Sequence, residues 1–231
     1  MTLQDVLAHI KNNASPAVKA SRERFGIDAS IQTHGITWPQ LRALGKTIGK
    51  NHELAQELWD SGIYEARLLA TVVDDYTEVT QAQMERWVRD FNSWEIVDQC
   101  CSNLFDKTPF AFDKAQAWVH DEAEFVRRTG FALMATLSVH AKKATDAHFE
   151  PFFPLIEQYA FDNRNFVKKA VNWALRQMGK RNQALYHKAV ECAQRVSQQQ
   201  HPSARWIAAD ALRELKSPQV LKRIAERLHK I

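Results

Sequence analysis

Trp94 and Asp98 lie four residues apart in "FNSWEIVDQCC", residues 91–101, a stretch that otherwise reads as an amphipathic helix. At that spacing two side chains share one helix face, a turn apart. A carboxylate attracts positive charge by Coulomb's law, and an indole face attracts it through the ring quadrupole. The chemistry open to such a pair is the reception of a cation. Taken singly, each residue has a plainer reading: Trp94 as a core or hinge aromatic, Asp98 as one half of a surface or inter-helix salt bridge.

The pair needs a scaffold, and the chain supplies helices. "SWEIVDQCCSNLF" offers Ser93 as an N-cap and a burial stripe of Val97, Cys100, Cys101 and Leu104. "TWPQLRALGKTIGK" offers Thr37 as a cap, Pro39 in the first turn, and Leu41, Leu44 and Ile48 as its apolar face. No strand pair or Asn-Gly hairpin interrupts the pattern. The periodicity predicts about 14 helices joined mostly by short loops.

Some of these helices resemble one another. "FVRRTGFAL" at 125–133 lies over "FVKKAVNWAL" at 166–175, so that Arg128 falls on Lys169. Extending the frame adds Arg205 on one side and Asp98 and Arg67 on the other. A column of Arg67, Asp98, Arg128, Lys169 and Arg205 fits helical-pair repeats of the HEAT kind. The expected fold is all-α: a single domain over 1–231, a right-handed solenoid of HEAT-like antiparallel helix pairs with a concave basic cleft.

Composition narrows the function. With 231 residues, 45% of them hydrophobic, and only seven glycines and seven prolines, the chain can bury a substantial core and has no linker-like run. No stretch approaches the roughly 20 apolar residues of a membrane span. The N-terminus lacks a signal-peptide layout, so a cytoplasmic protein, nucleoid-associated when acting on DNA, is expected. The three cysteines and nine histidines show no metal-ligand spacing, and GxGxxG, GxxxxGK[ST] and GxSxG are absent. The reading calls for no metal and no cofactor. Charge is unevenly spread: residues 164–231 carry 15 Lys/Arg against 4 Asp/Glu, while residues 1–163 carry 16 against 23. A basic half on a folded chain is the footprint of a polyanion partner.

With these residues in place, the sequence resembles the bacterial DNA alkylation-repair glycosylases of the AlkD type, from about residue 20 to residue 215. "HGITWPQLRAL" and "ELWDSGIYEARLLA" are similar to the family's early helices. "SWEIVD" resembles its Trp-Trp-Asp-x-Val-Asp, with Ser93 in place of the first Trp and Glu95 in place of the first Asp. That places Trp94 and Asp98 on the family's catalytic Trp and Asp. "RRTGFAL" places Arg128 on its DNA-binding Arg, and "FVKKAVNWALRQMGK" places Trp173 on its second site Trp. A Tyr that family members carry before the Gly-Ile marker has no clear match, and Phe25 lies nearby out of register.

The resemblance implies hydrolysis of the N-glycosidic bond of cationic alkylpurines, such as 7-alkylguanine and 3-alkyladenine, in duplex DNA. It implies a duplex held mainly by its backbone without base flipping. In that frame Asp98, Trp94 and Trp173 are the expected catalytic residues. Arg128, Lys168, Lys169, Arg176, Lys180, Arg181, Arg67 and Arg205 are the expected DNA contacts, and a monomer with no membrane partner is expected. Trp38, Trp59, Trp87, Trp118 and Trp206 are assigned to packing. Two rivals remain at this point. A non-catalytic HEAT-like scaffold could bind DNA or structured RNA with the same basic column and no use for Asp98. A protein–protein scaffold would show apolar anchors where this chain shows cations.

Overall fold

The computed structural model describes residues 1–228, with side chains through Glu226. Residues 229–231, the end of the basic stretch noted above, lie outside the described residues. Among the described residues there are fourteen α-helices, two short 3-10 turns and no strand. The chain clusters into two compact units, residues 1–108 and 109–231.

The first unit holds α1 (Leu3–Asn12), α2 (Pro16–Arg24), α3 (Trp38–Ile48), α4 (His52–Asp60), α5 (Tyr64–Val73), α6 (Gln81–Arg89) and α7 (Trp94–Asn103). Most of these helices begin on a side chain that accepts an otherwise orphaned N–H. Ser15, Asn51, Thr80 and Ser93 do so for α2, α4, α6 and α7. At α3 the side chain of Gln40 accepts from the Thr37 N–H across 3.0 Å, and Pro39 sits in the first turn as the sequence suggests. Helices α4 and α5 pack as a hairpin, and α5 is flanked by α3 and α7. Trp59 of α4 and Trp87 of α6 stack with ring centroids 4.0 Å apart and planes within 4°. Such a pair adds about 0.5–1.5 kcal/mol beyond its buried area.

The second unit holds α8 (Ala111–Trp118), α9 (Glu124–His140), α10 (Phe152–Tyr159), α11 (Asn165–Gly179), α12 (Gln183–Ser197), α13 (Pro202–Leu215) and α14 (Pro218–Leu228). Its backbone is the succession α9, α11, α13, each packed on the next, with α8 against α9 and α12 against α13. Gly130 lets α8 approach α9 closely: a Cβ there would press on the Val119 side chain at 2.6 Å and the Ala115 carbonyl at 2.9 Å.

An arginine clip recurs in both units and reveals the repeat. Arg67, fourth residue of α5, donates Nε to the Trp59 carbonyl eight residues earlier at 3.3 Å and lies over the Trp59 ring. Its guanidinium also approaches Asp90, at 3.7 Å. Arg127, fourth residue of α9, donates Nε to the Val119 carbonyl eight residues earlier at 2.9 Å, lies over the Tyr159 ring, and bonds Asp162 at 2.7 Å. Arg67 therefore corresponds to Arg127, not to Arg128.

The column expected from the sequence divides accordingly. Asp98, Arg128 and Lys169 are fifth residues of their helices, whereas Arg67 and Arg205 are fourth. One residue is a rotation of about 100° around the axis. The α9–α11 alignment itself is sound, since Phe125 and Phe166, second in each helix, stack at 5.6 Å. Adjacent polar residues obscure the frame elsewhere: in "FVRRTG" either arginine can be matched to a lone one.

Candidate nucleic-acid site

Ser93 sets the site in the first unit. Its Oγ accepts from the Ile96 N–H at 3.2 Å, which starts α7 and puts Trp94 at the first helical position. There the indole N–H of Trp94 donates to the main-chain carbonyl of Phe25 at 3.0 Å. The indole is thereby fixed against the chain that leaves α2. The Phe25 side chain is 71% exposed. Trp94, Phe25, Trp38, Ile27, Ile36 and Val18 enclose a pocket of about 400 Å³.

Charge lies under this aromatic wall. Arg22, 8% exposed, pairs with fully buried Glu65 and donates to Thr33 Oγ1 at 2.7 Å and the Ile36 carbonyl at 2.6 Å. Glu65 also accepts from Thr33 and from the N–H groups of His34 and Gly35. Burial alone would raise the Glu65 carboxyl, but these donors and Arg22 hold it below the ordinary carboxylate range. Gly35 has φ +82°, and a Cβ there would collide with the Ser15 carbonyl, so only glycine can present this N–H. Glu95, beside Trp94, accepts from the Tyr64 hydroxyl at 2.7 Å and lies 3.8 Å from Arg22 Nε. Burial, then the Glu95 charge, drives the Tyr64 hydroxyl pKa far up, so it remains a donor. Glu95 is thus held in a buried network, while Asp98 stands one turn along α7, partly buried, its carbonyl accepting from Ser102 Oγ at 2.7 Å.

In the second unit, Trp173 is partly buried on α11. Arg128 is 5% exposed and donates one ω-nitrogen to the Phe166 carbonyl at 2.7 Å. The other expected DNA contacts fall into two groups. Arg67 forms the clip described above. Arg181 donates to the carbonyls of Ser138, Ala141 and Ala144 and covers the Phe149 ring, which ties the segment after α9 to the end of α11. Arg176 and Lys180 both pair with Glu214 across α11 and α13. These four serve the fold. Lys169 and Arg205 are exposed, and Lys168 lies 5.0 Å over the ring of Trp206. Trp206 is 40% exposed, not a core residue as the sequence suggested, while Trp59, Trp87 and Trp118 are buried.

The basic half is also less bare than its tally. Arg164, Arg195 and Lys188 pair with Asp162, Glu157 and Glu150, all contributed from before residue 164. The three cysteines are buried, and burial holds the Cys100 and Cys192 thiols well above their ordinary pKa. Among the described residues no group of His, Cys, Asp and Glu could hold a metal ion, and no helix is long and apolar enough to cross a membrane.

Comparison with known proteins decides the family. The family model described as DNA alkylation repair enzyme matches residues 6–228. The chain belongs to the DNA alkylation repair enzyme family. It is similar to an uncharacterized protein of Listeria innocua serovar 6a, Lin0241, 23% identical over 174 residues, covering 74% of this chain and 75% of that protein. A solved structure described as a new family of proteins related to the HEAT-like repeat DNA glycosylases with affinity for branched DNA structures superposes with a TM-score of 0.76. It is 18% identical and covers 92% of this chain and 95% of that one, a likeness of fold. The DNA alkylation repair enzyme fold here is accordingly a HEAT-like all-α fold.

Sequence reasoning misses Phe25. It lies out of register with the family's early Tyr, yet its carbonyl is the partner of Trp94 and its ring is exposed beside it. The signal is a phenylalanine followed by Gly26, whose φ of +84° turns the chain after α2.

Proposed function

We propose that this chain is a DNA glycosylase that hydrolyses the N-glycosidic bond of cationic alkylpurines, 7-alkylguanine and 3-alkyladenine, in duplex DNA. It grips the duplex mainly by its backbone and does not turn the base out. The observation that carries this reading is the pinned Trp94 with Asp98 one turn on, in a chain of the DNA alkylation repair enzyme family.

An alkylated purine already bears positive charge and departs as a neutral base. No carboxylic acid is then needed to protonate the leaving group, unlike ordinary glycoside hydrolysis. What builds up instead is positive charge on the deoxyribose. Asp98, ionised, stabilises that charge and orients the attacking water. Opposite charges about 4 Å apart at an effective dielectric near 20 attract by about 4 kcal/mol. Only the part gained between ground and transition state accelerates the reaction.

Trp94 and Phe25 offer aromatic faces to the cationic nucleotide; a cation–π contact contributes roughly 0.5–2 kcal/mol. Trp173, in the second unit, is proposed as a further catalytic residue from the family resemblance. Lys169, Arg205 and Lys168 take phosphates, with Arg128 contributing its charge. Arg67, Arg176, Lys180 and Arg181 are held by the fold, and Asp90 and Glu214 offset part of the charge of the first three.

A second reading keeps the DNA and drops the chemistry. The solved neighbour described as having affinity for branched DNA favours it. Release of 7-methylguanine from methylated duplex by the purified chain separates the two. Release supports the glycosylase; tight binding with no release of any cationic adduct supports the binding module.

A further inference from the structure

The first unit carries a second hollow, remote from Trp94 and unlike it in character. Its volume is about 580 Å³, and its lining includes Arg42, Lys46, Lys50 and Lys107 with Val72 and Asn103. Among the described residues no carboxylate lines it. Arg42 and Lys46 stand one turn apart on α3, a like-charge spacing that opposes helix formation. Lys50 donates Nζ to the carbonyls of Val72 at 2.9 Å and Asp74 at 2.6 Å. Lys107 donates Nζ to the Asn103 carbonyl. Burial, then the Lys107 charge, lowers the Lys50 pKa; Asp75 and then Asp74 pull the other way, Asp75 Oδ1 being taken by Thr77 and the Asp74 carboxylate by His52 and Gln83.

The ends of α3, α5 and α7 meet here, and helix C-termini attract cations. That accounts for Lys50 and Lys107, which bond terminal carbonyls. It does not account for Arg42, the fifth of eleven residues in α3, nor for four cations around one hollow with no acid among its described walls. Such an arrangement is unfavourable until an anion enters it.

We propose that this hollow is a second phosphate site, taking a backbone phosphodiester of DNA through Arg42, Lys46, Lys50 and Lys107. It rests on the reading of duplex DNA as the partner. Trp94 opens α7 and Asn103 closes it, about 14 Å apart along the helix axis. The phosphate held here belongs to a different nucleotide from the one at Trp94. The acidic half of the chain thereby contributes its own grip, which the net charge of residues 1–163 conceals.

The test compares the full chain with R42Q/K46Q and with K11Q/K19Q, which removes equal charge from exposed lysines of α1 and α2. Affinity for an undamaged duplex is measured over a salt series. For R42Q/K46Q the slope of log affinity against log salt should shrink by about 0.9 for each phosphate no longer held. K11Q/K19Q should keep the wild-type slope. The thermal midpoint of R42Q/K46Q should equal or exceed that of wild type, because both side chains are exposed and their like charges oppose the helix; K46E, an equal change of charge at one position, serves as a second variant and should also weaken binding. Identical slopes for R42Q/K46Q and K11Q/K19Q, with wild-type binding intact, would overturn this site alone. Absence of wild-type binding to DNA would overturn both this site and the reading beneath it. A wild type that binds but excises nothing would sink the glycosylase and leave the slope to decide the phosphate site.

Discussion

The indole N–H of Trp94 donates to the carbonyl of Phe25, 69 residues earlier, so α7 and the end of α2 hold one aromatic wall together. Because the acceptor is main chain, the two side chains can be tested apart. Trp94→Phe removes the hydrogen bond and keeps an aromatic ring, and should cost about 0.5–1.5 kcal/mol of stability in denaturant unfolding. Phe25→Ala leaves that bond in place and removes an exposed ring. It should leave the unfolding midpoint unchanged while slowing excision, since the lost cation–π contact is worth roughly 0.5–2 kcal/mol. A large stability loss from Phe25→Ala would mean that the ring packs and does not bind.

The cations divide in the same testable way. Lys169→Ala and Arg205→Ala should each lower the salt slope of duplex binding by about 0.9 and leave the thermal midpoint in place. Arg181→Ala should do the reverse. It removes the side-chain donor from the carbonyls of Ser138, Ala141 and Ala144, of which Ala141 keeps the Ala144 N–H at 3.1 Å; an acceptor left unpaired away from water costs about 1–3 kcal/mol. A thermal melt beside a binding series reads both effects.

Glu65 governs the response to acid. Its folded pKa lies below its ordinary value, so its stabilisation is fully present above the unfolded pKa of about 4.3 and is lost as pH falls through the folded pKa. Asp162, which burial would raise but Arg164 and Arg127 hold down, acts in the same direction in the second unit. Stability should be flat from neutral pH to about 5 and fall below about 4. Glu65→Gln leaves buried Arg22 with only the more distant Glu95, 3.8 Å from Nε, and should cost up to about 3–5 kcal/mol at neutral pH. A Glu65→Gln variant as stable as wild type at pH 7 would contradict the role assigned to the network beneath Trp94.

Much of the helical architecture was legible because it rests on local rules. Ser93 caps α7, the stripe of Val97, Cys100, Cys101 and Leu104 is buried, and α9 and α11 match residue for residue at Phe125 and Phe166. What was not legible depends on where side chains end. Arg67 and Arg181 look like any other cations in the sequence, yet their donors go to carbonyls that no periodicity identifies. Trp206 reads as packing because tryptophan usually is, and only the helix face shows it open under Lys168. Phe25 and Trp94 meet across 69 residues, a separation at which spacing carries no information. The charge tally pointed to residues 164–231, but carboxylates from earlier in the chain pair with part of that charge, and the hollow around Arg42 and Lys46 lies in the acidic half.

Asp98 carries the chemical claim, and Asp98→Asn tests it with shape preserved and charge removed. The decisive measurement is the single-turnover excision rate of 7-methylguanine from a defined duplex, with affinity for the same duplex measured alongside. Loss of a transition-state contribution of about 2–4 kcal/mol corresponds to a rate lower by roughly thirty- to a thousandfold. Binding should be unchanged or tighter, because the absent carboxylate no longer repels the phosphate backbone. Excision by Asp98→Asn at the wild-type rate would contradict the account.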